Sequence, residues 1–108
     1  MSEFVLTQAD DGRSLEVGLG DTVFLRFAEN QTTGYQWAVQ HGGGGILTLE
    51  GDTYSLVGGA GVGGGGERTL TFRATTPGTA NLELELRSLF PRATPVAARC
   101  ALTVRVRS

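Results

Sequence analysis

At 108 residues, 40% of them hydrophobic and 19% charged, the chain carries enough apolar material for one core and too little length for two, so it reads as a single domain over 1–108 rather than a disordered segment. The net charge is −2, and the nine basic residues, all arginine, are scattered, which excludes the basic stripe that tracks a phosphate backbone; nucleic acid is not an expected partner. No apolar run approaches the roughly 20 residues that span a bilayer, and Met1-Ser2-Glu3-Phe4 lacks the charged and apolar regions of an export signal, so no membrane role is expected and the chain reads as cytoplasmic unless trimmed from an exported precursor.

With Cys100 the one cysteine, no disulfide can form within the chain, and stability must come from packing. Apolar and polar residues alternate with period two in short stretches separated by Gly, Pro, Asn and Asp, which predicts β-strands. In chain order, after an opening strand added at Phe4 to Leu6, these are Leu15 and Val17; Val23, Leu25 and Phe27, after a turn at Leu19-Gly20-Asp21; Tyr35, Trp37 and Val39; Leu47 and Leu49; and Leu70, Phe72 and Ala74 within a strand over 67–74. Pro77-Gly78 then turns the chain into the clearest strand, 80–87, where Ala80, Leu82, Leu84 and Leu86 alternate with Asn81, Glu83, Glu85 and Arg87. The last, 99–107, sets Cys100, Leu102, Val104 and Val106 against Arg99, Thr103, Arg105 and Arg107, and these two strands are expected near the centre of the sheets. No window shows apolar residues at helical spacing with caps. About seven or eight short strands and essentially no helix predict an all-β chain, an immunoglobulin-like β-sandwich with its loops clustered at the ends.

Three segments break the alternation, 29–34, 58–66 and 88–97, and a sandwich builds its binding site from such loops on a rigid support. The first, Asn30-Gln31-Thr32-Thr33-Gly34-Tyr35, leads into the strand that holds Trp37. The threonines restrict χ1, Gly34 permits a conformation or close approach that a side chain forbids, and Asn30 can bond backbone within the loop. A plain Asx-type turn is the structural alternative, and Asn30-Gln31-Thr32 also fits the Asn-x-Ser/Thr glycosylation acceptor. This hexapeptide, with Trp37, resembles the signature of the chagasin-type inhibitors of cysteine peptidases, Asn-Pro-Thr-Thr-Gly followed by Tyr or Phe and then, two positions on, Trp; Gln31 stands where the family has proline. Element order and length agree along the whole chain. The resemblance implies a sandwich that lays three loops into the cleft of a papain-like cysteine peptidase, with Thr32, Thr33 and Gly34 at the catalytic centre and no properly placed scissile bond.

In the second segment Gly61, Gly63 and Gly66 satisfy G-x-G-x-x-G, but a dinucleotide-binding turn needs a helix after it, whereas Glu67 to Ala74 reads as a strand, and a P-loop needs a lysine that the chain lacks. The resemblance implies a Gly-x-Gly-Gly contact loop aligned with Gly63, Gly64, Gly65 and Gly66, whose bare backbone approaches the enzyme; a low-complexity connection is the alternative. A second run, Gly42 to Gly45, has no counterpart in the family motif and reads as such a connection. In the third segment the family has Arg-Pro-Trp where this chain has Ser88, Leu89 and Phe90. Phe90 keeps the aromatic character, Arg87 or Arg92 stands in for the absent charge, and closure of the sandwich's open end is the alternative role for Leu89 and Phe90.

Cys100 shares its parity with Leu102 and Val104 and is expected in the core as an inert thiol, while His41 stands alone beside glycines. Neither a nucleophile–base pair nor a metal set can be assembled from them, so no catalytic residue, cofactor or metal is expected. Asp10, Asp11 and Asp52 are placed in turns. The expected function is a reversible, competitive protein inhibitor of papain-like cysteine peptidases, acting as a monomer through Asn30, Thr32, Thr33, Gly34, Tyr35, Gly63, Gly64, Gly65, Gly66, Arg87, Leu89 and Phe90. From fold alone, the alternative is an immunoglobulin-like adhesion or scaffold module that binds an unrelated protein.

Overall fold

The computed structural model describes residues 2–30, 34–56, 65–88 and 96–108. Eight strands form there: β1 (Glu3–Thr7), β2 (Ser14–Gly18), β3 (Thr22–Asn30), β4 (Tyr35–Gly42), β5 (Leu47–Leu56), β6 (Gly65–Ala74), β7 (Gly78–Ser88) and β8 (Ala98–Arg107). They make two four-stranded sheets, ordered β1-β3-β6-β5 and β2-β8-β7-β4. The two most regular alternations of the sequence, β7 and β8, are the central pair of the second sheet, where a strand has neighbours on both sides and one face on the core. β1 and β2 run parallel to their partners β3 and β8, so the chain changes sheets between them through a single 3₁₀ turn, Gln8–Asp10. Thr7 caps that turn by accepting from the Ala9 N–H at 3.3 Å, and Asp10 returns the bond by accepting from the Thr7 N–H at 2.8 Å.

The inward rows of both sheets merge into one core. Val23, Leu25 and Phe27 of β3 and Leu70, Phe72 and Ala74 of β6 pack with Ala80, Leu82 and Leu84 of β7 and Cys100, Leu102, Val104 and Val106 of β8. Each large side chain fully buried there contributes about 1.5–3 kcal/mol. Cys100 lies in this row as its parity predicts, and burial pushes its thiol pKa up to about 11, which leaves it protonated and a poor nucleophile at neutral pH.

β5 departs from its expected pattern. Leu47 is buried, whereas Leu49, in the same register opposite Phe72 on this edge strand, is 47% exposed, and the register against β6 shifts directly after it, between Leu49 and Gly51. Asp52, placed in a turn on residue type alone, is instead a mid-strand residue of β5 that accepts a bond from Arg68. The glycine run at 42–45 is also not a featureless connection. Gly42 ends β4, and Gly43, Gly44 and Gly45 follow with φ of +94°, +59° and +90°, a left-handed run that residues with side chains adopt only at a cost. Gly43 is buried against Leu47 and Ala80. Composition cannot tell such a built turn from a linker, because both are glycine-rich.

The β2–β3, β4–β5 and β6–β7 connections share one end of the sandwich. At the other end the register sets Asn30 opposite Gly65, Leu56 opposite Gly66, Tyr35 opposite Ser88 and Leu86 opposite Ala98. Those strand ends bound the segments 31–33, 57–64 and 89–95.

Candidate functional site

Strand register alone brings together the residues that border the three singled-out segments. Asn30 ends β3, and Gly34 forms a turn immediately before Tyr35 opens β4. Gly34 has φ of +80°, a left-handed conformation that calls for glycine on backbone grounds, and among the described residues no heavy atom lies within 4 Å of where a Cβ would stand. Tyr35, Gly65 and Gly66 join Ala28, Glu29, Leu86 and Ala97 around a cleft of ≈ 410 Å³ at this end. Thr32, Thr33, Gly63, Gly64, Leu89 and Phe90 lie outside the described residues.

Two of the expected loop glycines prove to be strand residues. Gly65 and Gly66 begin β6, paired with Asn30 and Glu29 of β3. Gly66 is buried, and a Cβ there would overlap the ring of Tyr54, so its bareness serves packing within the domain. Arg87 stands apart from the cleft. It belongs to the outward-facing row of β7, and its Nε donates to Glu85 Oε1 at 2.7 Å. Glu85 also accepts from Arg99 Nε at 3.2 Å, and the two arginines, Arg87 foremost, hold its carboxyl below the usual carboxylate range.

Beneath this end lies a buried ionic cluster that the sequence reading did not identify. Glu29 continues the inward row of Val23, Leu25 and Phe27, and Arg68 continues that of Leu70 and Phe72. Arg68 binds the carboxylate in a fork: Nε donates to Oε1 and Nη2 to Oε2, both at 2.9 Å. Its Nη1 donates to Asp52 Oδ1 at 2.5 Å, and these bonds, that to Glu29 first, raise the guanidinium's pKa. Glu29 Oε1 accepts in addition from the Trp37 N–H at 2.7 Å, and the Tyr54 hydroxyl donates to the Glu29 carbonyl at 3.1 Å. The available signal was two opposite charges on core-facing parity near the same end of two strands.

Trp37 joins the sheets a second time. Its ring lies on Phe27 with centroids 4.8 Å apart and planes at 32°, and Nε1 donates to the Ala28 carbonyl at 3.0 Å. Among the described residues no group of three or more His, Cys, Asp or Glu is arranged to hold a metal. His41 is exposed, 3.5 Å from Glu83 Oε2. The arrangement suits recognition: a sandwich whose one end carries long connections on a charged and aromatic base is a binding module.

The kind of binding is set by family. The family profile described as chagasin family peptidase inhibitor I42 matches residues 16–104, and the chain belongs to that family of peptidase inhibitors. Among solved structures, the cysteine protease inhibitor EhICP2 from Entamoeba histolytica superposes with a TM-score of 0.88 at 19% identity, over 98% of this chain and 96% of that one. Amebosin gives 0.74 at 22% identity, over 97% and 98% of the two chains. PbICP-C, solved in complex with falcipain-2, gives 0.59 at 12% identity, over 97% and 89%. At these identities the likeness establishes the shared fold. A search of curated protein sequences finds no match.

Proposed function

We propose that this inhibitor acts on papain-like cysteine peptidases, reversibly and competitively, by occluding the active-site cleft with the segments around 30–35, 63–66 and 87–90. The observation that carries the reading is the position of Gly34, left-handed, between β3 and β4 at the end where all three segments leave the sheets. In support, EhICP2 is described as a cysteine protease inhibitor and PbICP-C was solved bound to falcipain-2. Asn30, Thr32, Thr33 and Gly34, with Tyr35 at their base, face the catalytic centre; Gly63 to Gly66 lie on one side and Arg87, Leu89 and Phe90 on the other. No bond forms with the enzyme's cysteine, and none is cut, because the loop fills the cleft without offering a peptide bond in attacking geometry. Tight binding by such a device comes from order already present in the free inhibitor rather than from contact area.

Titration of papain against the full chain, with a serine peptidase and a metallopeptidase as controls, tests this. Inhibition of papain alone, competitive with substrate and with the inhibitor chain intact after long incubation, is expected. Absence of inhibition, or a fragment cut between Asn30 and Tyr35 that appears as inhibition fades, overturns it.

A further inference from the structure

We propose that Glu29 is a positioning residue for inhibition: its buried carboxylate clamps the stems of the segment around 30–35 and, through Arg68, ties them to the stem of the glycine-rich connection. The inference rests on the reading of 30–35 as the segment that enters the enzyme. Glu29 directly precedes Asn30, and its Oε1 accepts from the Trp37 N–H at 2.7 Å. One carboxylate therefore closes the chain between positions 29 and 37 into a ring at its base. Among the described residues β4 is an edge strand paired with β7 alone, and for the Trp37 amide, which points away from that partner, Glu29 of the other sheet supplies the acceptor.

The same carboxylate holds the second connection. Arg68 is in β6, four residues in from the site end, and reaches Glu29 of β3 on one side and Asp52 of β5 on the other. Tyr54 of β5 adds its hydroxyl bond to the Glu29 carbonyl at 3.1 Å, and its ring covers Gly66 and lies 5.8 Å from the Arg68 guanidinium carbon. β3, β4, β5 and β6 are thus joined at one point, on which both segments stand.

Stability is a poor reason to build this cluster. Taking a carboxylate and a guanidinium out of water costs about as much as their attraction returns, and apolar residues of similar size often serve the fold as well or better. What apolar residues cannot provide is fixed direction, and direction is what an inhibitory loop needs before it meets the enzyme.

Two double variants of the full chain separate positioning from mere support. Both Glu29→Gln/Arg68→Met and Glu29→Met/Arg68→Met delete the charge pair, but only the first keeps an acceptor for the Trp37 N–H. The readouts are the unfolding midpoint, inhibition of papain and amide hydrogen exchange at residues 34–37. The Gln/Met variant should inhibit within about threefold of wild type, whereas the Met/Met variant should be weaker by about tenfold or more and exchange faster at 34–37. Equal inhibition and equal exchange in the two folded variants overturn the inference. If the wild type itself leaves papain uninhibited, the proposed target class fails, and the exchange contrast alone decides whether the clamp exists. Should Met/Met not fold, Tyr54→Phe, which deletes only the hydroxyl on the Glu29 carbonyl, takes its place: about two- to threefold weaker inhibition at an unchanged midpoint supports the clamp, and wild-type inhibition with wild-type exchange overturns it.

Discussion

At the end of the sandwich that carries the β2–β3, β4–β5 and β6–β7 connections, backbone bonds tie the connections to one another, with the Asp21 carboxylate and Arg73 adding side-chain bonds. Gly20 N–H donates to the Ala74 carbonyl at 2.8 Å, Ala74 N–H to the Asp21 carbonyl at 2.9 Å, Ile46 N–H to the Gly43 carbonyl at 3.1 Å and Thr75 N–H to the Ile46 carbonyl at 3.0 Å. At the other end the strand tips are joined by side chains: the Glu29–Arg68–Asp52 cluster, the Tyr54 hydroxyl and the Trp37 indole. Short turns satisfy their polar groups locally and need only glycines that tolerate positive φ. A base of side chains beneath the longer connections can be shaped without changing what their tips present. The two ends should accordingly fail in different ways when altered, one through stability and the other through inhibition.

The sharpest contrast is between two glycines of similar φ. Gly43→Val meets both a left-handed backbone and the packed side chains of Leu47 and Ala80, so it should lower unfolding stability by about 2–4 kcal/mol in urea while the folded fraction inhibits normally. Gly34→Val meets no side chain of the described residues; it should cost inhibition about 1–3 kcal/mol and stability less than that, read from inhibition constants and urea midpoints together. Loss of inhibition in a stable Gly43 variant, or normal inhibition by the Gly34 variant, would break the division between the ends.

Gly66→Ala lies at the end proposed to enter the enzyme but is a packing change, because its Cβ displaces the Tyr54 ring; stability should fall by about 1–2 kcal/mol, and the hydroxyl bond to Glu29 should be lost with it. The smallest expected effect is at Asp21. The Ser2 and Gly18 N–H groups donate to its carboxylate at 2.8 and 2.7 Å and hold it below the usual carboxylate range. A carboxyl lowered on folding adds stability that is present above its unfolded pKa and lost as pH falls through the folded one. Unfolding midpoints of Asp21→Asn should therefore depend less on pH below about 4 than those of wild type, with inhibition at neutral pH unaltered. A parallel acid profile in the two proteins would remove Asp21 from the account of that end.

Much of this was written in the sequence at short range. Period-two alternation located the described strands after the first, the parity of Cys100 placed it in the core, and the Asn30 to Tyr35 hexapeptide with Trp37 pointed to the family that the profile match over 16–104 establishes. Such features survive translation into sequence because each depends on neighbours one or two residues away. At Leu49, on the edge strand β5 and just before a bulge, the same rule misplaced a side chain. Residue-type rules failed similarly at Asp52, a strand residue, and at Gly42 to Gly45, a built turn.

Only the tertiary structure decided which glycine is needed for what. Gly34 answers to its own backbone, Gly43 to Leu47 and Ala80 as well, and Gly66 to a tyrosine on the adjacent strand, yet all three are the same letter. Only the fold, likewise, could pair Glu29 with Arg68, 39 positions apart, and bring the Trp37 amide from the opposite sheet to the same carboxylate. A charge in an inward row is legible from alternation; its partner is not, because the partner is chosen by how the strands are ordered and registered, and that choice is made by the packing of the whole core.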